Sequence, residues 1–503
     1  MSRPQDRRFE WVRFAALLGV ALGLRLYHLN HFGFWLDEIL QSYWVHGTWS
    51  FFWKSLRFDA FHPPLDYLIS KILCLAHAPD DLLKIPAVVW GVGTVAALGI
   101  LVARRVDRAA GVVAVVLLAA APFHVRYSQE LRPYSLGLFL LCLSLCLLDA
   151  FLERPTAARL LGVFLASLAT LYSLYVAAIV LAIAAASLLI EDAFGAEPAR
   201  RAAARRFLPF SPLFGAALWV AYLPWWPVVI SAARRAPMAA AEPVTWDRLL
   251  RTLSFFSFAM NDGERLGRVG ALYVVLCVVG VILLTRRRGA RFFVAWGLAG
   301  LAVLEALGQM HPHMYATRRF LPAGLALTVF AAVAIAGFLR KPATRLIAVA
   351  LMAAILAADL RTLGVYYREG RADWRPLAEF LKANSSRQDR VFVESQYQQL
   401  SLAYYLVGPT FLFDLEERGT MAREVYGLGG RPILLSWSWE PGKTAWLLMS
   451  ADDSEATSLG RWAKPFPVFP FPTAESSMLY RLDPAFRERA FSSEGLALLD
   501  AKP

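Results

Sequence analysis

Apolar runs of roughly 17–25 residues, the length that crosses a hydrocarbon core, recur from the N-terminus to about Leu363. They predict a bundle of transmembrane helices, because a chain in lipid must satisfy its backbone polar groups internally. Candidate spans are 13–29, 85–103, 109–123, 135–152, 158–172, 174–190, 211–229, 269–285, 291–308, 320–338 and 345–363, about eleven in all, with 158–172 and 174–190 nearly fused. A mean hydropathy of +0.46 over the chain is too apolar for a soluble enzyme of this length. The first run lacks a small-x-small cleavage site, so it is expected to be retained.

Charge divides the 503 residues in two. Residues 364–503 carry 16 Lys/Arg and 18 Asp/Glu, whereas 1–363 carries 36 and 21. The basic excess sits in connectors: Arg7/Arg8/Arg13, Arg104/Arg105/Arg108, Arg154/Arg159, Arg200/Arg201/Arg205/Arg206, Arg286/Arg287/Arg288/Arg291 and Arg340/Lys341/Arg345. If the spans alternate, these connectors share one side. The positive-inside rule then puts that side and the N-terminus in the cytoplasm, and an odd span count puts the tail outside. A multi-pass protein of the cytoplasmic membrane explains the pI near 9.7 without nucleic acid. Cys74, Cys142, Cys146 and Cys277 give neither metal spacing nor a disulfide framework.

Residues 1–363, with a first external loop at 30–84, are thus expected as the membrane domain, and 364–503 as a small α/β extracytoplasmic domain. In that tail, helices are expected at Trp374–Ala383 and Leu400–Leu406, and strands at Val391–Val393, Ile433–Trp437, Ala445–Met449 and Met478–Leu482. The proline-broken run from Lys464 to Pro472 suits a loop or a sheet edge. No nucleotide-binding glycine fingerprint, P-loop or zinc spacing occurs.

Residues with chemical potential gather on the side opposite the basic connectors. Asp37 and Glu38, in Phe34-Trp35-Leu36-Asp37-Glu38, are adjacent carboxylates beside the first span, costly there unless used or well solvated. His62-Pro63-Pro64-Leu65-Asp66-Tyr67 reads either as a rigid corner holding His62 near the carboxylates or as a plain turn before an interfacial helix over 65–75. In Arg126–Tyr134, Glu130 suits sugar hydroxyls or the orientation of a base, and Arg132 suits a phosphate or Glu130 itself. Arginines snorkelling at a helix end are the plain alternative. The segment His311-Pro312-His313 leads to Arg318-Arg319, a pair of planar guanidinium forks suited to phosphate, with lipid head groups as the alternative partner. His311 and His313 alone supply too few ligands for zinc.

Five motifs in order carry a resemblance: Arg25-Leu26-Tyr27 with Trp35-Leu36-Asp37-Glu38, His62-Pro63-Pro64-Leu65, Glu130-Leu131-Arg132-Pro133-Tyr134, and Arg319-Phe320-Leu321-Pro322. Over about 14–363 the chain resembles the bacterial GT-C glycosyltransferases related to protein O-mannosyltransferases and the lipid A aminoarabinose transferase. Tyr366-Tyr367 and Asp373-Trp374-Arg375 also look like features of that family. The resemblance implies a polyprenyl-phosphate donor bearing one sugar, a hydroxyl acceptor, and inverting transfer on the outer face. It implies Asp37 as the general base and Arg318 or Arg319 as the grip on the lipid phosphate, to which the residue reading above adds Arg132 as a phosphate-binding candidate. Glu38 would orient Asp37 or bind acceptor, with His62, Glu130, Tyr134, His311 and His313 as substrate-binding candidates. No cofactor is indicated, and a requirement for a divalent metal is left open by the sequence. The chain departs from the family at Tyr172-Ser173-Leu174-Tyr175, where relatives often place a histidine, and at Asp66, where an aromatic is more usual. A transporter or flippase of lipid-linked sugars remains the alternative reading, although no pair of broken helices repeats in the two halves.

Overall fold

The computed structural model describes residues 4–235, 252–256, 268–310, 316–369, 373–384, 390–393, 396–417, 433–435, 445–450, 463–465 and 477–482. Its chain divides into two compact units: Met1–Leu29 with Leu56–Tyr367, and Asn30–Ser55 with Arg368–Pro503. Sequence alone predicts one external loop over 30–84 belonging to the spans; in the structure its first part clusters with the tail.

The first unit is a helical bundle. Among the described residues, eight helices are long and apolar enough to cross a membrane, and two shorter apolar helices, Arg108–Ala120 and Ala157–Leu171, fall on two further predicted spans. The expectation of a mostly α, polytopic membrane protein is met. Local rules set the helix ends. Pro86 opens Ile85–Arg105, Asp107 caps Arg108–Ala120 by accepting the Ala110 amide at 3.0 Å, and Thr156 caps Ala157–Leu171. One run is longer than predicted: 211–229 lies within Pro198–Arg234, which 3₁₀ turns at Leu208–Phe210 and Leu223–Trp225 interrupt without ending.

Leu321–Leu339 is the core of the bundle. The Thr317–Leu339 span is 94% buried, against 22% for Pro342–Arg368, whose surface is left to lipid. Arg268–Thr285 approaches it so closely at Gly280 that a Cβ there would overlap the Phe330 backbone, the close approach that small residues allow between membrane helices. A π-turn at Ala295–Ala299 lets Trp296 donate its indole N–H to the Pro322 carbonyl at 2.8 Å.

Four of the basic connectors meet at one end of this bundle. The fully buried Asp149 pairs with Arg104 at 2.5 Å, with Arg200 at 2.7 Å and with Arg105. Arg105 also reaches Asp192 at 2.8 Å, and Asp107 receives Arg287 at 2.8 Å and Arg340. Glu191 accepts the amides of Gly289, Arg291 and Phe292 at 2.7, 3.0 and 2.9 Å, satisfying the orphan N–H groups where Phe292–Val294 begins. Glu191→Ala is expected to destabilise the bundle by about 1–2 kcal/mol, read as a lower unfolding midpoint in detergent. An unchanged midpoint would show that water replaces the carboxylate without loss.

The second unit carries Leu36–His46, Arg375–Asn384, Gln396–Leu406 and Phe411–Glu417 beside a five-stranded sheet. Its strands are β1 (Arg390–Val393), β2 (Ile433–Leu435), β3 (Ala445–Ser450), β4 (Ala463–Pro465) and β5 (Ser477–Leu482), in the order β2-β1-β3-β5-β4. Only β1 and β3 pair in parallel, with Phe392 opposite Leu447; the other pairs are antiparallel. β4 ends in Pro465 at an edge, where a missing N–H costs nothing in the ladder. Trp374, Leu377, Leu381, Leu402 and Ala403 pack Arg375–Asn384 against Gln396–Leu406.

Candidate functional site

In the bundle, the candidate residues of three separate segments converge at the end opposite the basic connectors. Pro122 starts a one-turn helix, Pro122–Tyr127, and Pro133 precedes the long helix Tyr134–Glu153, so 128–133 is a short, doubly bounded link. It is buried: Glu130 is 0% exposed and Arg132 6%, which excludes the snorkelling alternative for Arg132. Glu130 pairs with Arg126 at 3.4 Å, and Arg132 donates to the Tyr67 hydroxyl at 3.3 Å. Tyr67 is supplied by Leu65–Leu75, the helix expected after Pro63-Pro64, whose first amide is held by the Tyr172 carbonyl at 2.9 Å.

Aromatic rings wall this place. His62 meets Tyr134 edge-on at 5.5 Å between ring centres, and Tyr134 meets Tyr127 at 5.1 Å. Burial, then the charges of Arg132, Arg319 and Arg318, hold the His62 imidazole well below its ordinary pKa. Its Nδ1 is sealed from solvent and has no hydrogen-bond partner in the protein. Burial also pushes the Tyr127 phenol up, with Glu130 and Tyr134 adding to the shift while Arg126 and Arg318 oppose it. Arg319 in turn has Tyr134 and Arg318 as its electrostatic neighbours. The bundle therefore brings together His62, Glu130, Arg132, Tyr134, Arg318 and Arg319 of the expected set. His311 and His313 lie outside the described residues.

A neutral His62 makes a testable statement about pH. The unfolded chain protonates this histidine below about pH 6.5, whereas the folded protein does not until lower pH. Stability tied to the neutral ring is complete above that value and lost as pH falls. The unfolding midpoint of the wild type should therefore drop more between pH 7 and pH 5 than that of His62→Gln. Equal drops would place His62 in a different environment.

Sequence reasoning missed what holds the 128–133 link in place. Arg25 is fully buried in the first helix and spends its donors on Ala21 and Ala119 carbonyls at 2.8 and 3.1 Å, His124 Nδ1 at 2.6 Å and Ser128 Oγ at 3.2 Å. Gln129 donates to the Arg25 and Tyr27 carbonyls, both at 2.8 Å. An arginine inside an apolar span was the available signal.

The acid pair belongs to the other unit. Trp35 stands at the N-cap of Leu36–His46, with extended backbone, and Glu38 turns back so that its carboxylate accepts the Trp35 amide at 3.3 Å. Glu38 is 0% exposed, whereas Asp37 is half-buried. The two adjacent acids thus differ: Glu38 fixes the turn from a buried position, and Asp37 is only half-buried. Asp66, the other departure from the family pattern, is buried in the bundle.

The helical spans with a mixed α/β tail have the mostly α, polytopic architecture that the motifs led us to expect. Residues 61–226 match the family model described as dolichyl-phosphate-mannose-protein mannosyltransferase. Among solved structures, the chain is similar to ArnT from Cupriavidus metallidurans bound to undecaprenyl phosphate, with a TM-score of 0.54 and 12% identity over 94% of this chain and 98% of that one. The same protein in its apo state gives a TM-score of 0.54 and 11% identity over 95% and 99% of the two chains. No curated protein sequence matches.

Proposed function

We propose that the chain is an inverting glycosyltransferase that moves a single sugar from a polyprenyl-phosphate donor to a hydroxyl acceptor on the outer face of the cytoplasmic membrane. The observation that carries this reading is the gathering of Arg132, Arg318 and Arg319 around the neutral His62, beside Tyr134, at one end of an apolar bundle. A phosphate on a lipid tail is the ligand whose charge such a cluster meets and whose tail the spans accommodate. The undecaprenyl phosphate in the similar ArnT structure, and the mannosyltransferase model matched over 61–226, support the same donor chemistry.

In the proposed reaction the acceptor oxygen attacks the anomeric carbon, the carbon–oxygen bond to phosphate breaks, and Asp37 takes the hydroxyl proton. The electron pair of the broken bond leaves with polyprenyl phosphate, whose charge the arginines stabilise where it develops. A phosphate leaves without a strong acid, so one carboxylate suffices. Glu38 orients Asp37 through the helix N-terminus, and Glu130 and Tyr134 contact the sugar or its acceptor. His311 and His313 remain proposed substrate contacts.

Purified protein in proteoliposomes, given polyprenyl phosphates bearing radiolabelled single sugars and an envelope extract as acceptor, tests this reading. Label appearing in a hydroxyl-bearing acceptor supports it. Movement of label between leaflets without transfer would replace it with the flippase reading.

A further inference from the structure

In the unit formed by Asn30–Ser55 and the tail, one side-chain hydroxyl holds the backbone that leads to the acid pair. The Tyr405 hydroxyl accepts the Phe34 amide at 2.5 Å and donates to the Phe34 carbonyl at 3.2 Å. Both backbone polar groups of Phe34 are therefore engaged by a residue from Gln396–Leu406. Those groups sit between a loop and a helix start, where no regular structure would otherwise satisfy them.

A second clamp grips the chain a few residues earlier. Arg375 donates to the Asn30 carbonyl at 3.4 Å and to the His31 carbonyl, while Asp373 holds the guanidinium at 2.8–3.2 Å. Gly33 lies between the two clamps. A Cβ there would stand 2.5 Å from the Tyr405 hydroxyl and 2.9 Å from Asp373 Oδ1, so glycine is required by the approach. Beyond the acids, Ser42 pairs with the Tyr404 hydroxyl at 2.9 Å and Tyr43 donates to the Leu400 carbonyl at 2.8 Å. The chain is thus fastened to the tail on both sides of the half-buried Asp37.

A tyrosine that merely filled space would need its ring alone. Here the hydroxyl is the working group, and it stays protonated: burial raises its pKa, and the Glu38 and Asp373 carboxylates add to the shift while the Phe34 backbone hydrogen bond and Arg375 oppose it. We propose that Tyr405, assisted by the Asp373–Arg375 pair, is a positioning residue for glycosyl transfer, fixing the Phe34 backbone so that Asp37 leaves its helix turn aimed at the acceptor hydroxyl. The inference rests on the glycosyltransferase reading and adds to it that the tail supplies the frame of the base.

Tyr405→Phe removes the hydroxyl and keeps the ring. Its kcat is expected to fall about 10–100-fold while the donor KM stays within about twofold, the pattern of a misaimed base. A wild-type kcat overturns the proposal. Gly33→Ala pushes against the same hydroxyl, so it should cost about tenfold in the wild type and less than about threefold in Tyr405→Phe. Equal costs in both backgrounds overturn the clamp. Amide hydrogen exchange on the full-length protein supplies a readout independent of activity. Exchange at Phe34–Ile39 should quicken in Tyr405→Phe with the other tail helices unchanged, and unaltered exchange overturns the clamp. If the wild type transfers no sugar, the glycosyltransferase reading fails by itself, and the exchange experiment still decides whether Tyr405 holds this turn.

Discussion

Asp37→Asn should lower the rate of sugar transfer by about 10²–10⁴-fold, the usual contribution of a well-placed general base. The amide keeps the size and hydrogen-bonding shape of the side chain but cannot take a proton. Glu38 is the acid whose carboxylate closes the turn onto the Trp35 amide. The variant should therefore fold, bind donor with an ordinary KM, and fail in the chemical step. Glu38→Gln is the instructive contrast. It retains an oxygen able to accept from Trp35, so its loss should be smaller, within about tenfold, and should appear mainly in kcat. If Asp37→Asn transferred sugar at the wild-type rate while Glu38→Gln did not, the roles of the two acids would be reversed. If both were fully active, the base would lie elsewhere.

The difference between these two carboxylates shows where sequence reading stops. Adjacent acids beside an apolar span are visible in the sequence, but which of them turns inward is decided by an N-cap three residues from Glu38. Long periodic segments were legible because their signal is local. The span predicted at 135–152 is the helix Tyr134–Glu153, and the strand predicted at Ala445–Met449 is Ala445–Ser450. The helix after Pro63-Pro64 was legible for the same reason. The partners of buried polar groups were not. Arg25 finds Ser128 across 103 residues, and Phe34 finds Tyr405 across 371, distances over which periodicity carries no information. The same holds for Arg132, which is told apart from a snorkelling side chain only once its burial beside Tyr67 is seen. Grouping Asn30–Ser55 with the tail was also out of reach, since hydropathy marks where a span ends and not which body its loop joins.

Replacing the arginine pair should have a comparable effect, for a different physical reason. In the proposed reaction negative charge builds on the leaving phosphate, and removing one preorganised donor from such a site typically costs about 10²–10³ in kcat. Arg319→Ala is expected to show a loss of that size, and Arg318→Ala together with Arg319→Ala a larger one. Arg319→Lys separates charge from geometry. It restores the cation but not the planar fork, so it should recover part of the rate while remaining about tenfold or more below wild type. Binding of polyprenyl phosphate alone should weaken in the same order, and added salt should weaken it further in all variants. The neutral His62 provides an internal gauge, because Arg319 is one of the charges that depress its pKa. Removing that charge should raise the His62 pKa, seen as an upward shift in its NMR titration, whether or not any donor is present. A slowed enzyme with an unmoved His62 would mean that Arg319 acts through the fold. A shifted His62 in an enzyme of undiminished rate would leave the arginine cluster in place and remove the phosphate from it.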